Sequence, residues 1–289
     1  MPQLRTSSYF LNLPFELIFQ ISNYLPRVDR AVLATICRSL RAILGTLEVH
    51  RLSSGQYLRF LTRIARDLLD WWVCEACFKL HPVSFDDTPK TPWKMSCPIP
   101  WDRWCNEVYG RRSRHDHRAV QIEHRHVQLA LKYIRLQNPG LRYQYYYSAL
   151  LAVHRDDHFR THPFPVDREN VLDVSYVATP KIIKDRDGNF RYLLMSAWEY
   201  RKKSIDISLP TVGEIILCPH NIVSANLTVA STYRSFYLNL EQLIFNGAVF
   251  ATHAGGCRHC PTDIFIKFHA EYIIVQTWQD MGTKGSPGK

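Results

Sequence analysis

The chain has 289 residues, enough for one large domain or two ordinary ones, and at 46% hydrophobic and 21% charged it reads as globular, which excludes a disordered protein. No apolar run approaches the ~18 residues of a membrane span, and the opening MPQLRTSSYF lacks the apolar core of a secretory signal. Net charge is +10 from 36 basic and 26 acidic residues, but it is scattered, and its densest cluster, Arg111-Arg112-Ser113-Arg114, reads as a solvated loop rather than a nucleic-acid contact.

These features lead us to expect an intracellular protein, cytoplasmic and/or nuclear, with no membrane partner and no nucleic acid. In such a reducing compartment its eight cysteines are expected to stay free of disulfides. Four of them form two C-x-x-C pairs, which points to metal or redox chemistry. Redox is the weaker of the two at Cys74 and Cys77, because no strand precedes that pair in the arrangement a thioredoxin fold requires.

In chain order, residues 11–44 come first. Pro14 suits the first helical position, and Glu16 favours the positive end of the helix dipole. Leu17, Ile18, Ile21, Tyr24 and Leu25 then recur at the period of one helix face. Pro26 ends that helix. Asp29 is placed to cap the next, with a buried face of Val32, Leu33, Ile36, Cys37, Leu40, Ile43 and Leu44. So few short helices bury too little surface to stand comfortably alone; they pack on the rest of the chain or dock a partner.

The residues Leu13-Pro14, Glu16-Leu17, Ile21, Leu25, Leu33, Cys37-Arg38 and Leu40-Arg41 resemble an F-box. An F-box is the helical module that binds the Skp-type adaptor, and through it the cullin, of a cullin–RING ubiquitin ligase. The resemblance implies that Leu13, Pro14, Leu17, Ile18, Ile21, Leu25, Leu33 and Cys37 meet that adaptor. An ordinary helical hairpin of a core has a similar amphipathic pattern.

After Ser53-Ser54-Gly55, the spacing of Tyr57, Leu58, Phe60, Leu61, Ile64, Ala65, Leu68 and Leu69 predicts an amphipathic helix. The run from Trp71 to Pro82 carries Cys74, Cys77 and His81, and Cys97 lies downstream, with Cys105 a further available partner. Zinc takes four such ligands in a tetrahedron, and these residues are one candidate set; two buried thiols are the plain alternative. The prolines at 82, 89, 92, 98 and 100 make the next stretch irregular, with Trp93, Trp101 and Trp104 pinning it to a core. His115, His117, His124 and His126, flanked by arginines, are expected at the surface.

Val127, Leu129, Leu131 and Tyr133 alternate with other residues and predict a strand. Residues 143–153 read as a helix with an aromatic face, and 158–167 as a loop. A hairpin follows, 171–184 and 190–200 around Asp187-Gly188-Asn189. A strand is expected at 214–218, a helix at 237–245, and a last hairpin around His269-Ala270-Glu271. Cys257 and Cys260, after Gly255-Gly256, and Cys218 with His220 make a second candidate zinc set; a turn whose thiols pack on the sheet is its alternative. The runs CEACFKLHP, SCP-x-x-W-x-x-W, LCPH and C-x-x-CPTD are similar to a group of filamentous-fungal F-box proteins without recognised substrate repeats.

The expected fold class is α+β. An N-terminal all-helical F-box-like module at residues 8–52 precedes a mixed region, 53–289, with antiparallel sheet and loop-rich Cys segments. Within it we expect a connecting helix at 53–70, a Cys/Trp-rich segment at 71–110, a sheet-containing domain at 120–280 and a flexible tail at 281–289. The expected function is the substrate-receptor subunit of an SCF-type ligase, holding an unknown target protein and doing no chemistry itself, with structural zinc as its only cofactor. A zinc-stabilised nucleic-acid or protein interaction module outside any ligase is the alternative. A metal-dependent enzyme comes last, since no G-x-S-x-G, H-E-x-x-H or P-loop is present.

Overall fold

The computed structural model describes residues 9–45, 47–97, 122–137, 140–156, 172–203, 207, 212, 215–218, 221–223 and 250–283. The chain forms two compact units, Met1–Val83 with Ser96–Ile99, and Ser84–Met95 with Pro100–Lys289. Both helices and antiparallel sheet are present, an α+β protein. No helix among the described residues is long and apolar enough to cross a membrane.

In the first unit a 3-10 turn, Tyr9–Asn12, leads into α1 (Phe15–Asn23). Pro14 stands just before the helix, and its carbonyl receives the N–H groups of Leu17 and Ile18 at 3.1 and 3.2 Å. Pro26 plays the same part for α2 (Arg27–Ile36), receiving the N–H of Arg30 at 3.0 Å. Both prolines sit where no N–H is needed. Asp29 therefore does not cap α2; it lies in the first turn, where its charge faces the positive helix end.

The long second helix expected from sequence is broken at Cys37, which is fully extended (φ −151°, ψ 166°), and α3 (Arg38–Leu44) begins after it. The Cys37 sulphur accepts the Leu40 N–H at 3.5 Å, so it caps α3. Gly45, at φ 77°, stops that helix in a conformation that side-chain-bearing residues avoid. A short helix, α4 (Leu47–His50), follows.

The helix α5 (Ser54–Ala65) opens with a capping box: the Gln56 N–H donates to Ser53 Oγ, and the Ser53 N–H to Gln56 Oε1. Its apolar face packs on α2 through Val28, Ala31, Phe60, Leu61 and Ala65, and Arg63 pairs with Asp29. The buried face of α2 is thus Val28, Ala31 and Ala34. Val32 and Leu33 are half-buried and Ile36 is exposed, which corrects the expected face. The hairpin of β1 (Trp71–Cys74) and β2 (Lys79–Pro82) completes this unit, and Val73 and Leu80, opposite each other, join the same core.

The second unit is built on a six-stranded antiparallel sheet in the order β3-β4-β5-β10-β9-β8. These strands are β3 (His154–Asp156), β4 (Leu172–Lys184), β5 (Phe190–Lys202), β8 (Phe250–Gly256), β9 (Thr262–His269) and β10 (Tyr272–Asp280). Tyr176, Trp198, Val275 and Ile266 sit opposite one another across four strands and form one buried row; Ala178, Ser196, Thr277 and Ile264 form the next. A separate two-stranded ribbon joins β6 (Ile215–Cys218) to β7 (Asn221–Val223). The Gln279 amide of β10 donates to the Leu217 carbonyl of β6 at 2.7 Å.

The stretch expected as a strand around Val127 is a helix, α6 (His124–Arg135), packed on β5 and on α7 (Leu141–Leu150). Nine consecutive residues of α6 are buried, so no exposed face survives to show a period of 3.6. The expected helix at 237–245, the loop at 158–167, Cys105, Trp101, Trp104, His115 and His117 lie outside the described residues.

Candidate functional site

Among the described residues of the first unit, α1 and its approach expose apolar side chains to an unusual extent. Phe15, Leu17, Phe19 and Ile21 are 64%, 44%, 49% and 41% exposed, and Tyr9, Leu11, Tyr24 and Ile36 are exposed as well. At about 100° per residue, Ile18 and Ser22 define one narrow stripe, and they are the residues of α1 that are buried. Phe15 and Phe19 flank that stripe on one side, Leu17 and Ile21 on the other. The helix is therefore apolar over far more of its circumference than its own unit covers, and contiguous exposure of this kind marks interaction surfaces.

The residues expected to meet an adaptor are divided by this geometry. Pro14, Leu17 and Ile21 are exposed, while Leu13, Leu25 and Leu33 are half-buried and offer part of their surface. Ile18, 1% exposed, is core and is not available to a partner. Cys37 is occupied in capping α3. Phe15, Phe19 and Tyr24 are more exposed than Leu17, Ile18 or Ile21, and sequence reasoning passed over Phe15 and Phe19 because only one face of α1 was expected to matter.

The first cysteine cluster is complete. One donor atom each from Cys74, Cys77, His81 and Cys97 lies within 4.8 Å of all the others. The β1–β2 hairpin explains how. Val73 and Leu80 occupy its core-facing side, so Trp72, Cys74 and His81 share the other side. The Trp72 indole N–H donates to Ser96 Oγ at 3.3 Å, and Ser96 Oγ donates to the Pro82 carbonyl at 2.6 Å, which sets Cys97 beside the hairpin. The Cys74 and Cys97 sulphurs are 3.7 Å apart, and the Cys77 sulphur is 2.9 Å from His81 Nε2. A tetrahedral zinc with bonds of about 2.3 Å spaces two sulphurs by about 3.8 Å.

The electrostatics suit a cation. Burial pushes the Cys74 thiol up to about 12 against the pull of the Cys77 backbone N–H, so a bare thiolate is disfavoured there; a bound divalent ion reverses that preference. Burial, helped by Lys79, lowers the pKa of His81 and keeps its ring in the neutral, ligating form.

The second cluster gathers Cys218 at the end of β6 with Cys257 and Cys260 in the β8–β9 turn. That turn is fixed by the Cys257 N–H to the Thr262 carbonyl and the Thr262 N–H to the Cys260 carbonyl, both at 2.8 Å. The His259 N–H donates to the Cys257 sulphur at 3.4 Å, and the Cys260 sulphur lies 3.2 Å from Thr262 Oγ1. His220, the expected fourth ligand, lies outside the described residues. Both clusters could hold a metal ion; four donors define the first among the described residues and three the second.

A third constellation escaped the sequence reading. Asp87 accepts Arg125 Nε at 2.6 Å and Nη2 at 2.9 Å, and His126 Nε2 lies 3.1 Å from the same carboxylate. The Glu123 N–H donates to His126 Nδ1, so the ring proton sits on Nε2 and points at Asp87. Arg125 also reaches the Pro92 carbonyl, and the Tyr146 hydroxyl the Asp87 carbonyl. Burial pushes the Asp87 carboxyl up, but the bonds from Arg125 and His126 more than offset it and hold it below the usual carboxylate range. His126, expected at the surface, is fully buried. The cluster fastens the irregular segment around Asp87 to α6 and α7; it needs a partner 38 residues away, a separation at which no motif shows.

Residues 10–52 match the family model of the F-box domain. The chain carries an F-box domain over that stretch. F-box domains bind Skp-type adaptors of SCF-type ubiquitin ligases, and the matched segment contains α1 to α3 with the uncovered side chains described above. No curated protein and no solved structure matches the chain.

Proposed function

We propose that the protein is the substrate-receptor subunit of an SCF-type ubiquitin ligase. Its F-box helices take the Skp-type adaptor, and through it a cullin, while the sheet-bearing unit holds a target protein. The observation that carries this is the coincidence of the F-box match at residues 10–52 with the exposed apolar side chains of α1. The protein then performs no bond chemistry; it raises the concentration of its target beside the ubiquitin-loaded enzyme. It acts where such ligases act, in the cytoplasm and/or nucleus. Structural zinc is the cofactor we assign to it, since thiolate-rich sets with one imidazole are a common zinc shell.

Direct binding tests this. Purified protein mixed with the adaptor is expected to give a stable complex. A Leu17→Ala, Ile21→Ala double variant, altering two exposed positions, is expected to weaken it by about 30-fold or more, the scale of a hot-spot loss. Undiminished affinity in that folded variant would remove α1 from the interface.

A further inference from the structure

The hairpin that carries three of the four first-cluster ligands is not an appendage of the helices. One of its sides holds Cys74 and His81; the other inserts Val73 and Leu80 into the core formed by Val28 and Ala31 of α2 and Phe60, Leu61 and Ala65 of α5. In turn, α2 packs on α3, and α3 on α1. The helical module is small and leaves much of α1 uncovered, so it has little apolar burial of its own in reserve.

The turn between the two cysteines also points to a ligand. The Cys77 N–H is directed at the Cys74 sulphur, and the Lys79 N–H at the Cys77 sulphur. To make this turn, Phe78 adopts φ 54°, the left-handed region that a bulky residue occupies only where its surroundings impose it. With one donor atom each from Cys74, Cys77, His81 and Cys97 within 4.8 Å of the others, this turn sets two sulphurs where a soft cation can take all four.

We propose that zinc held by Cys74, Cys77, His81 and Cys97 is a folding element of the F-box unit itself. When the metal leaves, the hairpin loosens, the α2–α5 core loses Val73 and Leu80, and the docking face on α1 loses its support. The consequence for the adaptor rests on the function proposed above; the consequence for α2 and α5 does not.

The experiment uses the full chain purified in zinc. Elemental analysis is expected to find metal that Cys97→Ser releases and that His81→Cys retains, because the latter keeps four-donor thiolate chemistry. Hydrogen exchange is then followed in peptides spanning 27–36 and 54–65. Cys97→Ser is expected to speed exchange there by about tenfold or more, with His81→Cys close to the parent. Cys260→Ser, which takes a thiol from the second cluster, is expected to leave those peptides unchanged. If Cys97→Ser does not purify folded, the parent stripped with a chelator and reloaded with zinc gives the same comparison. Acceleration confined to 71–82, or a zinc-free parent with α2 and α5 fully protected, overturns the proposal. A zinc-loaded parent with the expected exchange that captures no adaptor refutes only the docking; adaptor capture undiminished in the stripped parent refutes only the metal's control of it.

Discussion

Two helices of this protein invert the usual relation between composition and burial. α1, FELIFQISN, is mostly apolar, and it buries Ile18 and Ser22. α6, HRHVQLALKYIR, carries two histidines, two arginines and a lysine, and nine of its residues are buried. Each departs from the rule in the direction that its partners explain. The Arg125 charge of α6 is met by a carboxylate already inside, Asp87, which His126 Nε2 also contacts. Phe15, Leu17, Phe19 and Ile21 of α1 keep much of their apolar surface uncovered among the described residues, which is the condition under which another protein can take them.

The contrast breaks most sharply at Arg125. Arg125→Ala leaves the Asp87 carboxylate buried without its main partner, and a loss of about 3–5 kcal/mol is expected in denaturant unfolding. An effect under about 1 kcal/mol would mean that water reaches Asp87.

Within α1 two neighbouring positions sharpen it further. Ile18→Ala removes a buried side chain and is expected to cost about 2–4 kcal/mol of stability. Phe19→Ala, half exposed, is expected to change stability by about 0.5 kcal/mol or less while weakening adaptor binding by about tenfold or more. Equal effects of the two on unfolding would show that the face carrying Phe19 is covered after all.

The smallest effect is a response to acid. Burial, then Lys90 and His126, hold His154 down to about 4; burial, then Arg125, hold His124 down to about 3. Both are neutral when folded, yet take a proton below their ordinary value of 6.5 once unfolded. The stability they contribute is present above that value and drains away as pH falls from it towards 4. Asp87 adds to the loss only further down, as pH passes through its depressed range. The thermal midpoint of the sheet-bearing unit is therefore expected to fall between pH 7 and pH 4.5; a flat or rising midpoint would mean that these rings are solvated.

How much of this was legible depended on whether a residue's partner lay nearby in the chain. The β4–β5 hairpin was plain because Asp187-Gly188-Asn189 is its turn, with Gly188 at φ 80° and the Asp185 carboxylate holding the Asp187 and Asn189 N–H groups. The β9–β10 hairpin was plain from its alternation, and the F-box helices from their fixed spacing. α6 was misread because Gln128, Ala130 and Lys132 are buried along with Val127, Leu129 and Leu131, so alternation carried no information about which side faced water. The break at Cys37 was missed because thiols seldom cap helices. Cys97 stood 20 residues from the nearest cysteine of its cluster, and only the bridge from Trp72 through Ser96 shows why it belongs there.

The order of strands in the sheet has a consequence for how the chain is made. β5 has as one neighbour β10, with Arg201 opposite Tyr272, so the sheet's middle cannot close until the last strand has left the ribosome. The compact unit that carries the F-box is made of residues no later in the chain than Ile99. During synthesis, then, the F-box helices leave the ribosome while the sheet-bearing unit is still being threaded out, so the first unit is ready to fold before the second is whole.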